Sequence, residues 1–217
     1  MDGKRKQLII IILTSMVVVL LGIVGYYWYQ NVNFVSTDDA KVNGDLVKIS
    51  PQSTGKIAEL NIEEGQTVVE NQILGRLDAA NTTDDAVELS LIRSPINGMI
   101  IKKQGNIGEI AGAGQVLAYV VDPAKLYIIA NIEETKLSSL AKGQAVDISV
   151  DQFGSTKFVG KVSSIGEAAS SAFSLLPSTS SGSYTKVVQK IPVKIALTGG
   201  SDKLLAGTNA NVRIHIK

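Results

Sequence analysis

A segment near the middle of this 217-residue chain occurs twice, and that repetition restricts the fold more than any other feature. Ile49-Ser50-Pro51-Gln52-Ser53-Thr54-Gly55-Lys56-Ile57 is echoed by Arg93-Ser94-Pro95-Ile96-Asn97-Gly98-Met99-Ile100. With one residue gapped in the turn of the second copy, an offset of 43 superimposes Gly55 on Gly98 and Ile57 on Ile100. The same offset carries Gly65 onto Gly108, Gln72 onto Gln115 and Leu74 onto Leu117. Each copy reads as strand, Pro/Gly turn, strand, Gly turn, strand, because short apolar runs are divided by residues that favour turns. The glycines recur for a backbone reason, since tight turns need positive φ. A half of this size is too small to bury an apolar face alone, so the two halves are expected to fold together.

The first thirty residues have a different character. Leu8 to Trp28 is a run of 21 positions whose only non-apolar members are Thr14, Ser15, Gly22 and Gly25. As a helix it spans ~32 Å, which matches the ~30 Å hydrocarbon core of a bilayer. Lys4-Arg5-Lys6 precedes the run and Tyr26-Tyr27-Trp28-Tyr29 closes it as an interfacial aromatic belt. Positive charge on the short side predicts a cytoplasmic N-terminus, with everything after about residue 30 outside the cytoplasm. A cleaved signal peptide would carry a shorter apolar stretch of ~7–15 residues ending at small side chains, whereas this run ends in bulky aromatics.

Beyond the anchor the chain reads as β throughout. Short runs rich in Val, Ile and Thr recur at Leu126–Ile132, Ala145–Val150, Phe158–Ile165, Val187–Leu197 and Asn211–Ile216. Only Glu133–Ala141 has a helical look, and Ser170–Ser183 is a Ser-rich stretch expected as a long loop. From Gln30 onward there are 18 basic and 19 acidic side chains with no basic block, which argues against nucleic acid as a partner. Cysteine is absent, so there is neither a disulfide framework nor a thiol nucleophile. The one histidine, His215, lies in the terminal strand and reads as a strand-face residue, since a zinc site of the usual kind wants two or three. No Gly-x-Ser-x-Gly elbow and no phosphate loop occur. The chain is therefore read as a non-enzyme with no metal and no cofactor.

The two β halves resemble a biotinyl/lipoyl domain. In carrier members of that family a lysine at the hairpin joining the halves takes the cofactor. Here the junction is Leu77-Asp78-Ala79-Ala80-Asn81-Thr82-Thr83-Asp84-Asp85-Ala86-Val87-Glu88-Leu89, and no lysine occurs between Lys56 and Lys102. A carrier role is thereby rejected on chemistry: no amine stands where the acyl group must go. A lysine-free lipoyl-like domain behind an anchor and before a second β domain resembles the HlyD/EmrA-type membrane fusion proteins, the periplasmic adaptor subunits. Thr37-Asp38-Asp39-Ala40-Lys41-Val42 resembles the family's opening segment, and the two Ser-Pro…Gly segments resemble its half-motifs. Lys142-Gly143-Gln144-Ala145-Val146 and Gly160-Lys161-Val162-Ser163-Ser164-Ile165 look like strands of its barrel. Phe173-Ser174-Leu175-Leu176-Pro177, Gly182 and Lys186-Val187-Val188-Gln189-Lys190-Ile191-Pro192-Val193 resemble the EmrA branch, whose members work with major-facilitator drug pumps.

The resemblance implies a mainly β architecture: a cytoplasmic tail (1–7), a transmembrane helix (8–28), a linker with a leading strand (29–46), a lipoyl-like domain (47–121, halves 47–78 and 92–121) and a β-barrel (122–217). It also implies a homo-oligomer of three or six copies, assembled with an inner-membrane transporter of the major-facilitator type in an efflux or export system. The apolar loop residues Phe173, Leu175 and Leu176 either bury under the barrel or are the candidate partner contacts, to the transporter or to a neighbouring copy. One departure stands out. Typical adaptors insert a long helical hairpin between the halves, but here only the 13 residues Ala79–Leu91 separate them. Fully extended these span at most ~45 Å, whereas a hairpin crossing ~100 Å needs ~65 helical residues per arm. Direct docking to a TolC-like channel in the usual way is therefore not expected. An envelope-anchored binding or scaffolding protein without a transport role is the alternative reading.

Overall fold

The computed structural model describes residues 3–78, 84–154, 156–168, 188–201 and 204–216. In chain order the elements are helix α1 (Gly3–Asn33), β1 (Phe34–Asn43), β2 (Leu46–Ile49), β3 (Gly55–Leu60), β4 (Thr67–Val68), β5 (Ile73–Leu77), helix α2 (Asp84–Ser90), β6 (Leu91–Arg93), β7 (Gly98–Lys103), β8 (Ile110–Ala111), β9 (Ala118–Val121), β10 (Tyr127–Glu133), β11 (Ala145–Val150), β12 (Lys157–Ile165), β13 (Lys190–Leu197) and β14 (Asn209–His215). Two compact units result, one of Met1–Ala40, Ala130–Ile195 and Ala210–Lys217, the other of Lys41–Ile129 and Ala196–Asn209.

The second unit contains the repeat. Its two four-stranded sheets have the orders β2-β9-β7-β4 and β6-β5-β3-β8. Substituting each strand by its counterpart in the other half converts one order into the other, so the repeat in sequence is a pseudo-twofold in space. Each sheet takes two strands from each half, which is why neither half closes a sheet alone. The core between the sheets is correspondingly shared. Ile49, Ile57, Leu60 and Leu74 come from one half and Ile92, Ile100, Leu117 and Val120 from the other, all buried.

The turns of the repeat follow one recipe. At Glu63–Gln66, Val69–Gln72, Asn106–Glu109 and Gly112–Gln115 the fourth residue's N–H donates to the first residue's carbonyl. The fourth side chain then reaches back and accepts from the first residue's N–H at 2.9–3.0 Å. The third residue is Gly65, Asn71, Gly108 or Gly114, and all four have positive φ. A fifth copy, Ala141–Gln144, has Gly143 in the third place. The sequence signature is thus Gly or Asn followed by Gln or Glu, because the third position needs left-handed backbone and the fourth needs a carbonyl or carboxylate of that length. Gln72→Ala is expected to cost about 1 kcal/mol, a fall in melting temperature of roughly 3 °C. Gln72→Glu, which keeps the acceptor as Glu109 does naturally, should leave the melting temperature within roughly 1 °C of the original.

The barrel is closed in the order β1-β10-β13-β12-β11-β14. Alternate residues fill it, among them Val146, Ile148 and Val150 of β11, Val193 and Ile195 of β13, and Val212 and Ile214 of β14. This is the period of two expected of strands with one buried face. β11 pairs antiparallel with β12 and with β14, Asp147 standing opposite both Val159 and Arg213.

Some expectations differ from what is observed. Segment 29–46, read as a linker with a leading strand, is helix as far as Asn33 and then the ten-residue barrel strand β1. The leading strand expected there is thus β1, without a linker before it; the resemblance marked it and periodicity did not, because the consecutive polar residues Thr37-Asp38-Asp39 interrupt the alternation. Glu133–Ala141 contains only a 3₁₀ segment, Glu134–Ser139. Helix α2 at the junction had no periodic signal, being seven residues long. Phe173, Leu175 and Leu176, with the Ser-rich stretch around them, lie outside the described residues.

Candidate functional site at the helix–barrel junction

Helix α1 carries a 24-residue stretch, Ile10–Asn33, long and apolar enough to cross a membrane, and none of its most apolar window is buried within the structure. Ile12, Val18 and Leu21 are each more than 60% exposed, so none of the described residues covers them. The last turn is closed by side chains: the Gln30 amide donates to the Tyr26 hydroxyl and the Asn33 amide to the Tyr29 carbonyl.

No linker follows. Asn33 ends the helix and Phe34 begins β1. Three contacts hold the end of β14 against this point. The Ile216 N–H donates to the Asn33 carbonyl at 2.9 Å. The Phe34 ring meets the His215 imidazole edge-on, with centroids 5.0 Å apart. The Arg213 guanidinium lies over the same ring, 5.4 Å from its centroid. His215 Nε2 is also 2.9 Å from an Asp147 carboxylate oxygen. The sole histidine is thus a half-buried strand residue tying β14 to β11. Among the described residues no group of three His, Cys, Asp or Glu side chains is arranged to hold a metal ion.

The opening motif is a second node. The Thr37 hydroxyl donates to the Asn131 carbonyl at 3.1 Å and accepts from the Asp39 N–H. The Asp39 carboxylate accepts from the Asn131 amide at 3.1 Å and from Lys190 Nζ at 2.6 Å. The hydrogen bond to Asp39, and then its charge, raises the Lys190 ammonium above the ordinary lysine value. β1 is thereby pinned to β10 and β13 by polar side chains. Asn131 and Lys190 were not legible as its partners, being 92 and 151 residues from Asp39. In the other unit Tyr127 donates to Asp45 at 2.9 Å, and burial, followed by that acidic partner, raises its phenol.

Beside the junction a cleft of about 510 Å³ opens among Ser36, Asp38, Asp147, Lys157, Asn211 and Arg213, contributed by β1, β11, β12 and β14.

Comparison with known proteins places this architecture. Residues 45–122 match the YhbJ barrel-sandwich hybrid domain and residues 125–215 match the AAEA-like β-barrel domain. The chain is 41% identical over 186 residues to YhbJ of Bacillus subtilis (strain 168), a protein named for an efflux system; the match covers 85% of this chain and 81% of that one. It is 34% identical over 128 residues to EmrK of Escherichia coli (strain K12), named for multidrug resistance, covering 58% of this chain and 33% of that one. The fold is that of the periplasmic adaptor protein EmrA, with a TM-score of 0.62 at 14% identity, over 84% of this chain and 98% of that structure. A barrel-sandwich hybrid of two interlocked halves, joined to a six-stranded barrel behind an apolar helix, defines a membrane fusion protein. This chain belongs to that family, in its HlyD/EmrA-type branch.

Proposed function

We propose that this chain is the membrane-anchored adaptor subunit of an efflux or export system, assembling as a homo-oligomer of three or six copies with an inner-membrane transporter of the major-facilitator type. Its N-terminus is cytoplasmic and its two β units lie on the opposite side of the membrane. The observation that carries this reading is the direct passage of an apolar, wholly exposed helix into a barrel strand. Such a joint holds the barrel next to the bilayer, where a transporter's outer face lies. The names of YhbJ, for an efflux system, and of EmrK, for multidrug resistance, support the same reading. The absence of lysine between Lys56 and Lys102 argues against acyl transfer. The role is structural: a protected exit for the substrate, with no bond made or broken.

The 13-residue separation of the halves makes this a short adaptor that does not dock on a TolC-like channel through a long hairpin. Phe173, Leu175 and Leu176 are proposed contacts to the transporter or to a neighbouring copy. The test is a deletion strain challenged with a broad panel of toxic compounds while the transporter is expressed. Raised intracellular accumulation of at least one class, reversed by the full chain, is expected. Unchanged accumulation across the panel would favour a scaffolding role without transport.

A further inference from the structure

The cleft beside the helix–barrel junction has a charge pattern and a position that the adaptor role does not require. Trp28 and Tyr29 stand four to five helical residues before Asn33, a rise of ~6–8 Å. An aromatic belt of this kind sits at the level of lipid headgroups, and the headgroup zone extends ~6 Å beyond the hydrocarbon. Phe34 follows at the next residue, so the guanidinium resting on its ring is placed at the outer edge of that zone. Ser36 and Asp38 are at most ~7 Å and ~14 Å further along an extended strand.

None of the ion pairs among the described residues uses Arg213, Lys157 or Asp38. Asp147, by contrast, is taken up by His215. The cleft therefore holds two cations and a carboxylate that are not joined to one another in ion pairs, beside the Ser36 hydroxyl and the Asn211 amide, whose Nδ2 also donates to Asp151 at 3.0 Å. The cation–π contact with Phe34 holds the guanidinium in place, and its N–H groups suit a bidentate oxyanion. A volume of about 510 Å³ is in the range of small-ligand sites.

We infer that this cleft is a headgroup site for a zwitterionic aminophospholipid of the leaflet on which the barrel stands, with the phosphodiester on Arg213 and Lys157 and the ammonium on Asp38. A phosphodiester offers the paired oxygens that a guanidinium binds best. A primary ammonium can donate to Asp38, which also lies in the field of Lys190, itself hydrogen-bonded to Asp39. The site would fix the barrel's height and rotation on the membrane, which a single helix alone leaves free to vary. The inference rests on α1 being a membrane anchor and is independent of the transport reading.

The test uses the full chain in nanodiscs of equal parts phosphatidylethanolamine, phosphatidylglycerol and phosphatidylcholine, with retained lipids counted by native mass spectrometry. Phosphatidylethanolamine should be retained about ten-fold over phosphatidylcholine, and Arg213→Gln should remove most of that excess. Asp38→Asn, which leaves the Phe34 stack untouched, should abolish the preference for phosphatidylethanolamine over phosphatidylglycerol without lowering the melting temperature. Equal retention of the three lipids by the wild-type chain would overturn the assignment. So would a preference unchanged in both variants. Displacement by equimolar glycerophosphoethanolamine would show that the site takes a soluble phosphodiester and would overturn the lipid assignment. A chain that fails to insert into the nanodisc would overturn the anchor and this inference together, whereas insertion without selectivity overturns the inference alone.

Discussion

Gly98→Ala is expected to cost the chain about 3 kcal/mol, read as a melting temperature lower by roughly 10 °C. Gly98 opens β7, which runs between β9 and β4, and it pairs with Val68 of β4. A Cβ at this position would run into the carbonyl of Val121 on β9 and come within 2.8 Å of the Val120 side chain. Because the obstacle is backbone, no rotamer change relieves it; the sheet must part. Gly108→Ala makes the useful contrast. Its φ of +88° is unfavourable for alanine, but a Cβ there meets nothing within 4 Å. The cost should be only about 1–2 kcal/mol. A loss at Gly98 no larger than that at Gly108 would mean that the strands are less closely packed than described.

The second large effect concerns the anchor. Val18→Asp together with Leu21→Asp places two carboxylates near the middle of the apolar stretch, at positions that are 63% and 66% exposed. Each aspartate near a bilayer centre costs about 2.5–3.5 kcal/mol. The double variant should therefore leave the membrane fraction on alkaline carbonate extraction, where the original chain stays. It should also fail to complement the deletion strain. Retention of the double variant in the membrane would show that something other than α1 holds the chain there.

What the sequence disclosed and what it hid follow from the range of the interactions involved. The interlocked sheets were legible because the same turn recipe recurs: Gly65-Gln66, Gly108-Glu109 and Gly114-Gln115 each encode a complete local structure within four residues. The apolar helix was legible for the same local reason, although its backbone runs five residues beyond Trp28 to Asn33. β1 was expected only through the resemblance of its opening segment, because its polar residues are satisfied by distant partners. Asp39 depends on Asn131 and Lys190, and neither has any sequence relation to it. The junction cluster was hidden too, since Phe34, Arg213 and His215 come together only when the last strand closes the barrel against the first. His215 carried a readable negative message, one histidine being too few for a zinc site, but not its contact with Asp147. The family motif at Thr37-Asp38-Asp39-Ala40 acquires a physical meaning here: Thr37 and Asp39 fasten the strand that leaves the helix.

Purification of the tagged full chain from membranes in mild detergent decides whether this chain is an adaptor bound to a transporter. A polytopic transporter of the major-facilitator type is expected to co-purify in fixed stoichiometry with an oligomer of this chain. Recovery of the chain alone, or with soluble partners and no transporter, from cells that express the transporter would contradict it.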